Sequence, residues 1–155
     1  MKVFISYSTA LDQIIALRLQ TMAAVYGMTL YVPPATTRSA VAPTLVPEVL
    51  KQLNDSDVVL AVITHQPAPS ALSEMNWTLA AQEKLLIPIV GAGVPVQYYA
   101  HFPRYFVVNP ADPSQVEQEI VKFLAERQQA KAGRFGLLAL ATLAVALLLF
   151  NSDSQ

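Results

Sequence analysis

The segment Asp57-Val-Val-Leu-Ala-Val-Ile-Thr64 constrains this chain more than any other. It is apolar on both alternations, so a strand made of it needs a hydrophobic cover on each face, as a central parallel strand has. Four more strand patterns surround it, at Val3–Ser6, Met28–Val32, Leu86–Val90 and Tyr105–Val108. Helical spacing separates them. Leu11, Ile14, Ile15, Leu17, Arg18, Met22 and Val25 repeat up to Gly27, Val46–Leu53 follows with Pro47 in its first turn, and residues 70–84 carry Trp77 in their middle. Asp112-Pro113 predicts the start of a long last helix, with Asp112 as N-cap, Pro113 at the first position, and Glu117 and Glu119 near its positive end. Strands alternating with helices predict an α/β fold, a flavodoxin-like five-stranded parallel sheet of order 2-1-3-4-5 with helices on both faces. One C-terminal transmembrane helix is expected in addition.

That last expectation comes from residues 135–150, where much of the apolar excess of this 155-residue chain is concentrated. The run contains no charge and one hydroxyl, Thr142. As a helix it covers roughly 24 Å, slightly short of a hydrocarbon core of about 30 Å. Snorkelling by Lys131 and Arg134, with local thinning, makes up the shortfall. A buried core helix or a partner-binding helix is the alternative, but a core helix normally keeps a polar stripe and this one has none. Arg127, Lys131 and Arg134 precede the run and no base follows it, which places the N-terminal domain in the cytoplasm as part of a single-pass membrane protein. Ala139, Ala141, Ala144 and Ala146 leave small patches for lateral packing of helices. An anchor of this size is not a channel or transporter by itself.

Composition excludes several functions. A formal net charge of −1 gives no electrostatic footprint for nucleic acid, so none is expected as a partner. The lack of cysteine removes disulfides, thiolate metal sites and cysteine nucleophiles. Residues 1–8 enter a strand pattern directly, so no signal peptide is expected there. No Gly-x-Gly-x-x-Gly follows the first strand, which leaves ordinary dinucleotide-fold binding unsupported.

The first strand ends in hydroxyls, Ser6 and Ser8, with Asp12 on the turn that follows. This gathers polar groups at the sheet edge where such folds hold ligands. Phe4-Ile5-Ser6-Tyr7-Ser8 with Asp12 also resembles the opening of Toll/interleukin-1 receptor (TIR) domains. Ser56-Asp57-Val58-Val59-Leu60 resembles the family's approach to its central strand, and Ser73 and Trp77 resemble a pair on its next helix. The resemblance covers about residues 1–125. It makes Pro33–Pro43 the BB loop, with Pro33, Pro34 and Arg38 as assembly residues. The implied division is a TIR-like domain over 1–126, a basic juxtamembrane extension over 127–134, a transmembrane helix over 135–150 and a short tail over 151–155.

The function so implied is a membrane-anchored signalling domain acting by self-association, in prokaryotic defence or stress signalling. Its partners would be copies of itself or another TIR-containing protein, and its ligand NAD or a nucleotide-derived molecule. The alternative is an NAD glycohydrolase or cyclase. Enzymes of the family resemble one another in a helix glutamate six residues after the serine, which steadies the ribosyl cation as nicotinamide leaves. Counting from Ser73 reaches Leu79, and aligning on Trp77 reaches Thr78; neither carries charge, so NAD hydrolysis is not expected from that position. Glu74 lies one turn before Thr78 on the same face. It is either a displaced catalytic acid facing the cleft or a first-turn acid at the helix's positive end.

The remaining candidates for ligand contact are Ser6, Ser8, Asp12, Arg38 and Trp77. Each has a structural alternative: turn capping for the serines, a helix N-terminal acid for Asp12, a solvated loop position for Arg38, and a core wedge for Trp77. His65 follows the central strand at the same edge. No second histidine or acid stands at metal spacing from it, so no metal is expected. His101 belongs to a Tyr/Phe-rich connection and reads as packing, and Glu83 beside Lys84 reads as surface charge.

Overall fold

The computed structural model describes residues 1–38, 45–81 and 83–151, with 134–151 described by backbone alone. Among these residues five strands form one sheet: β1 (Lys2–Ser6), β2 (Thr29–Tyr31), β3 (Val58–Ile63), β4 (Leu85–Gly91) and β5 (Phe106–Val108). Their order is β2-β1-β3-β4-β5 and every pairing is parallel, so the expected flavodoxin-like topology holds. Four helices alternate with them: α1 (Ala10–Val25), α2 (Pro47–Asp55), α3 (Pro69–Ala80) and α4 (Ser114–Asn151).

Strand alternation decides what packs where. Val3, Ile5 and Tyr7, with Val58, Leu60 and Val62, face the layer of α1 and α4, where Ile15, Leu19, Ile120 and Leu124 meet them. Phe4, Val59 and Ala61 face the other layer and pack with Val49 and Leu53 of α2 and with Met75 and Trp77 of α3. The central strand is therefore covered on both sides, as its composition requires. Arg18 ties α1 to α4 through a 2.8 Å ion pair with the buried Glu117, an acid in the first turn of α4.

Element ends obey local chemistry. Thr9 caps α1 in a capping box with Asp12, and Gly27 leaves the helix with a φ of 68°, a left-handed value that suits glycine. Two boundaries differ from expectation. Helix α3 ends at Ala80 rather than 84, because Ala81 leaves helical dihedrals (φ −85°, ψ 77°) and Lys84 turns back to the carbonyls of Asn54 and Ser56. Helix α4 starts at Ser114. The Pro113 carbonyl accepts its early bond from Glu117 N–H at 3.0 Å, so Asp112 lies one residue outside the capping position.

The backbone of α4 runs unbroken from Ser114 to Asn151, with no interruption at 127 or 135. Among the described residues, no helix is long and apolar enough to cross a membrane. The side chains of the expected span, 135–150, lie outside the described residues, as do residues 39–44 of the expected assembly loop and 152–155 of the tail.

Candidate functional site

Ligands of open parallel sheets bind outside the carboxyl ends of the strands, at the point where chain order reverses. Here that point lies between β1 and β3, and the polar residues collected there form two separate clusters. Their separation follows from strand parity. Ser6 shares its face with Phe4 and so meets α3; Thr64, continuing Val58, Leu60 and Val62, meets α1.

The first cluster is centred on Glu74. It is fully buried, with Ser70, Ala71 and Thr78 on the same inward stripe of α3. Its carboxylate accepts a 2.5 Å bond from Ser6 Oγ and a bidentate pair from Arg38, at 3.0 Å from Nη1 and 2.6 Å from Nη2. Arg38 reaches this place just beyond a short 3-10 turn at Ala35–Thr37. Its Nη1 also donates to the Tyr7 carbonyl at 3.3 Å, and its guanidinium lies 5.0 Å from the Tyr7 ring centre. Tyr7 in turn donates its hydroxyl to the Pro33 carbonyl at 2.7 Å, fixing the start of the loop. Burial pushes the Tyr7 phenol above its ordinary range, partly opposed by Arg38, which suits a neutral donor. The Glu74 charge is thus matched by a cation and a hydroxyl inside the fold.

The second cluster is centred on Asp12, which pairs with no cation among the described residues. Its carboxylate accepts from the N–H of Ser8 at 3.3 Å, Thr9 at 3.0 Å and Thr64 at 3.2 Å, and from the Thr64 hydroxyl. Two of those N–H groups, from Ser8 and the N-cap Thr9, lie in the turn that enters α1, so the acid closes the capping box of its own helix. Ser8 Oγ accepts from Ala68 N–H at 2.8 Å, joining this turn to the start of α3. Thr64 Oγ1 is 3.0 Å from His65 Nδ1. Gly91 lets β4 approach here: a Cβ at 91 would lie 3.1 Å from Thr64 Cα.

Beside Thr64 and His65 opens a cleft of about 820 Å³ between the ends of β3 and β4, helix α3 and a 3-10 turn at Val96–Tyr98. Leu72, Met75, Val90, Tyr98, Tyr99 and Phe102 are among the residues of its wall. Leu72 and Tyr98 are exposed, at 42% and 64%. A groove of about 950 Å³ exists at the opposite end of the sheet, but it is lined by charged groups such as Asp57 and Lys131 that already pair with each other, and it lies away from the strands' carboxyl ends.

The structure therefore brings Ser6, Arg38 and Glu74 together, and Ser8 and Asp12 together. Trp77 joins neither cluster; it is half-buried against the α2 layer, with Lys84 Nζ 5.9 Å from its ring centre. The first-turn alternative for Glu74 is corrected, since α3 begins at Pro69 and Glu74 is in its second turn. Of the two family positions, Thr78 is buried and donates to the Glu74 carbonyl at 2.7 Å, while Leu79 is exposed. In the expected assembly loop, Pro33 is buried, Pro34 exposed, and Arg38 turned inward. Sequence reasoning missed Thr64 and the aromatic wall. The parity of β3 was the signal for Thr64. Among the described residues, no group of acids and histidines is placed to hold a metal.

The fold has a solved counterpart. A structure of RosB with a bound intermediate, 8-demethyl-8-formylriboflavin-5'-phosphate, matches 94% of this chain and 87% of its own, with a TM-score of 0.51 and 13% identity. An NAD(P)H:quinone oxidoreductase from Methanothermobacter marburgensis matches 86% of this chain and 98% of its own at 12% identity, but a TM-score of 0.42 is too low to carry an argument. No family model matches the chain, and no curated protein does. The counterpart was solved with a flavin derivative bound and is not described as a TIR domain. It overturns the expectation of a TIR-like signalling domain acting by self-association, with its defence role, and the alternative of an NAD glycohydrolase. In the site itself both Glu74 oxygens are already engaged, Oε1 by Arg38 and Oε2 by Arg38 and Ser6.

Proposed function

We propose that this protein binds a planar, largely uncharged heteroaromatic ring of the flavin class in the cleft beside Thr64 and His65. One observation carries the reading: an apolar, aromatic-walled cavity of ligand size opens at the carboxyl ends of β3 and β4, with few polar groups in it. The flavin derivative held by a protein of like fold supports the choice of ring. Asp12 limits what the ring can carry. That carboxylate lies in the first turn of α1, so a phosphate tail brought to this helix end meets a like charge.

Titration with lumiflavin, riboflavin and FMN, followed by flavin fluorescence, tests this. Saturable binding is expected, with FMN no tighter than riboflavin, and with Met75→Trp abolishing it by filling the cleft. Absence of binding by all three overturns the proposal. FMN binding far tighter than riboflavin overturns the role given to Asp12.

Attachment to a membrane through residues 135–150, with the folded domain on the cytoplasmic side, is a separate proposal resting on the lack of charge in that run. Deleting residues 133–155 is expected to release the domain from the membrane fraction. A truncated form that still pellets, or a full chain soluble without detergent, overturns it. Kinship with TIR domains is likewise only a proposal, carried by the Phe4–Ser8 and Ser56–Leu60 stretches and lending no activity to the chain.

A further inference from the structure

Asp12, Thr64 and His65 form a chain of three polar groups whose proton positions can be assigned. The Asp12 carboxylate accepts from three backbone N–H groups and from the Thr64 hydroxyl, so it has no proton to give. Thr64 spends its single hydroxyl proton on Asp12. At 3.0 Å, the contact between Thr64 Oγ1 and His65 Nδ1 is then made by a proton on the imidazole. In the neutral ring this leaves the lone pair on Nε2, and His65 is exposed on the wall of the cleft.

We propose that His65 is the ligand's hydrogen-bonding partner, accepting a ring N–H at Nε2, and that Asp12 acts through Thr64 as the positioning residue that sets this tautomer. The ligand class is a planar heteroaromatic ring bearing an imide or lactam N–H. This rests on the ring-binding reading above and adds the group that orients the ring. A mostly apolar wall gives affinity without orientation; one acceptor in fixed register supplies the orientation.

Two measurements separate the parts. Nitrogen-15 NMR of the full chain at pH 8.5 reports which imidazole nitrogen carries the proton. The His65 ring is expected as Nδ1–H in the wild-type protein and in Thr64→Ser, and as Nε2–H in Thr64→Val, where the hydroxyl is gone. An Nε2–H tautomer in the wild type overturns the relay, whatever binds. The second measurement compares lumiflavin with its N3-methyl derivative, which lacks the imide N–H. The wild type is expected to prefer lumiflavin by roughly threefold to tenfold, the worth of one hydrogen bond, and His65→Leu to bind both equally. Equal binding by the wild type, or a preference that survives in His65→Leu, overturns the contact. If neither compound binds while the Nδ1–H tautomer is present, the ring-binding reading fails, and with it this ligand class for His65.

Discussion

Asp12 and Glu74 are both buried carboxylates at the carboxyl edge of the sheet, one on the α1 layer and one on the α3 layer, and the fold compensates them in opposite ways. Glu74 meets a full positive charge, the Arg38 guanidinium, whose side chain is itself only 7% exposed. Asp12 meets only dipoles: three N–H groups and a hydroxyl. The cation arrives on a loop from elsewhere in the chain, so satisfying Glu74 also fixes that loop. The dipoles belong to the turns flanking β1 and β3, so satisfying Asp12 requires no extra segment. One cluster organises the loop; the other can pass a preference on to a histidine.

Removing one partner from the first cluster is the harshest way to break this comparison. Arg38→Met leaves Glu74 buried without its cation and is expected to cost about 3–5 kcal/mol in urea unfolding. Combining it with Glu74→Leu should recover most of that loss, because the lone buried charge goes too. A double variant as unstable as Arg38→Met alone would show that loop packing matters and the charge does not. Asp12→Asn keeps an acceptor oxygen and disturbs only dipolar contacts, so about 1–3 kcal/mol is expected, below the Arg38 effect. A larger cost would mean that dipoles compensate a buried charge less well than a cation does.

Gly91→Ala sharpens the contrast by touching one side only. Its Cβ would press on the Thr64 backbone at 3.1–3.2 Å, for an expected loss of about 1 kcal/mol. The His65 nitrogen spectrum should change while the loop anchored by Arg38 keeps its protection from amide exchange. The mildest case is Asp57, a partly exposed carboxylate at the far end of the sheet. The Lys131 ammonium bonded to it at 2.5 Å holds its carboxyl below the usual range, with a smaller contribution from the Lys2 N–H. A lowered pKa in the fold means stability that is present above the unfolded value and lost as pH falls through the folded one. Lys131→Gln is therefore expected to cost less than about 0.5 kcal/mol near pH 7, given the solvent exposure of both groups. The difference should vanish in acid, once Asp57 is protonated, and shrink with salt.

The architecture was legible because β3 is apolar on both faces and four other runs alternate with helical spacing; the strand order followed with little freedom. Site residues were legible as types, since hydroxyls after β1 and an acid on α3 stand out in the sequence. Their partners were not. Arg38 sits in a loop with no periodicity, and its bond to Glu74 spans 36 residues, so only tertiary docking reveals it. Thr64 looked like the end of a strand until its parity with Val58, Leu60 and Val62 placed it on the α1 layer. Tyr98, Tyr99 and Phe102 read as a Tyr-containing connection, and become one wall only when the crossover from β4 to β5 folds over α3's end of the sheet. The end of α3 was misplaced because residues 81–84 are good helix formers, and the pull of Lys84 toward α2's terminal carbonyls is not a local property.

The bond from Ser6 to Glu74 joins residues 68 positions apart. Closing a loop of that length precedes any reward from the contact, so β1, β3 and α3 must already be docked before Arg38 finds its acid. The cluster is then expected to close as a latch after the rate-limiting step. Lesions in it are expected to leave the refolding limb of a chevron nearly unchanged and to steepen loss through faster unfolding. For a cell, such a variant would be a matter of lifetime: made at the normal rate, and opened to proteases too often.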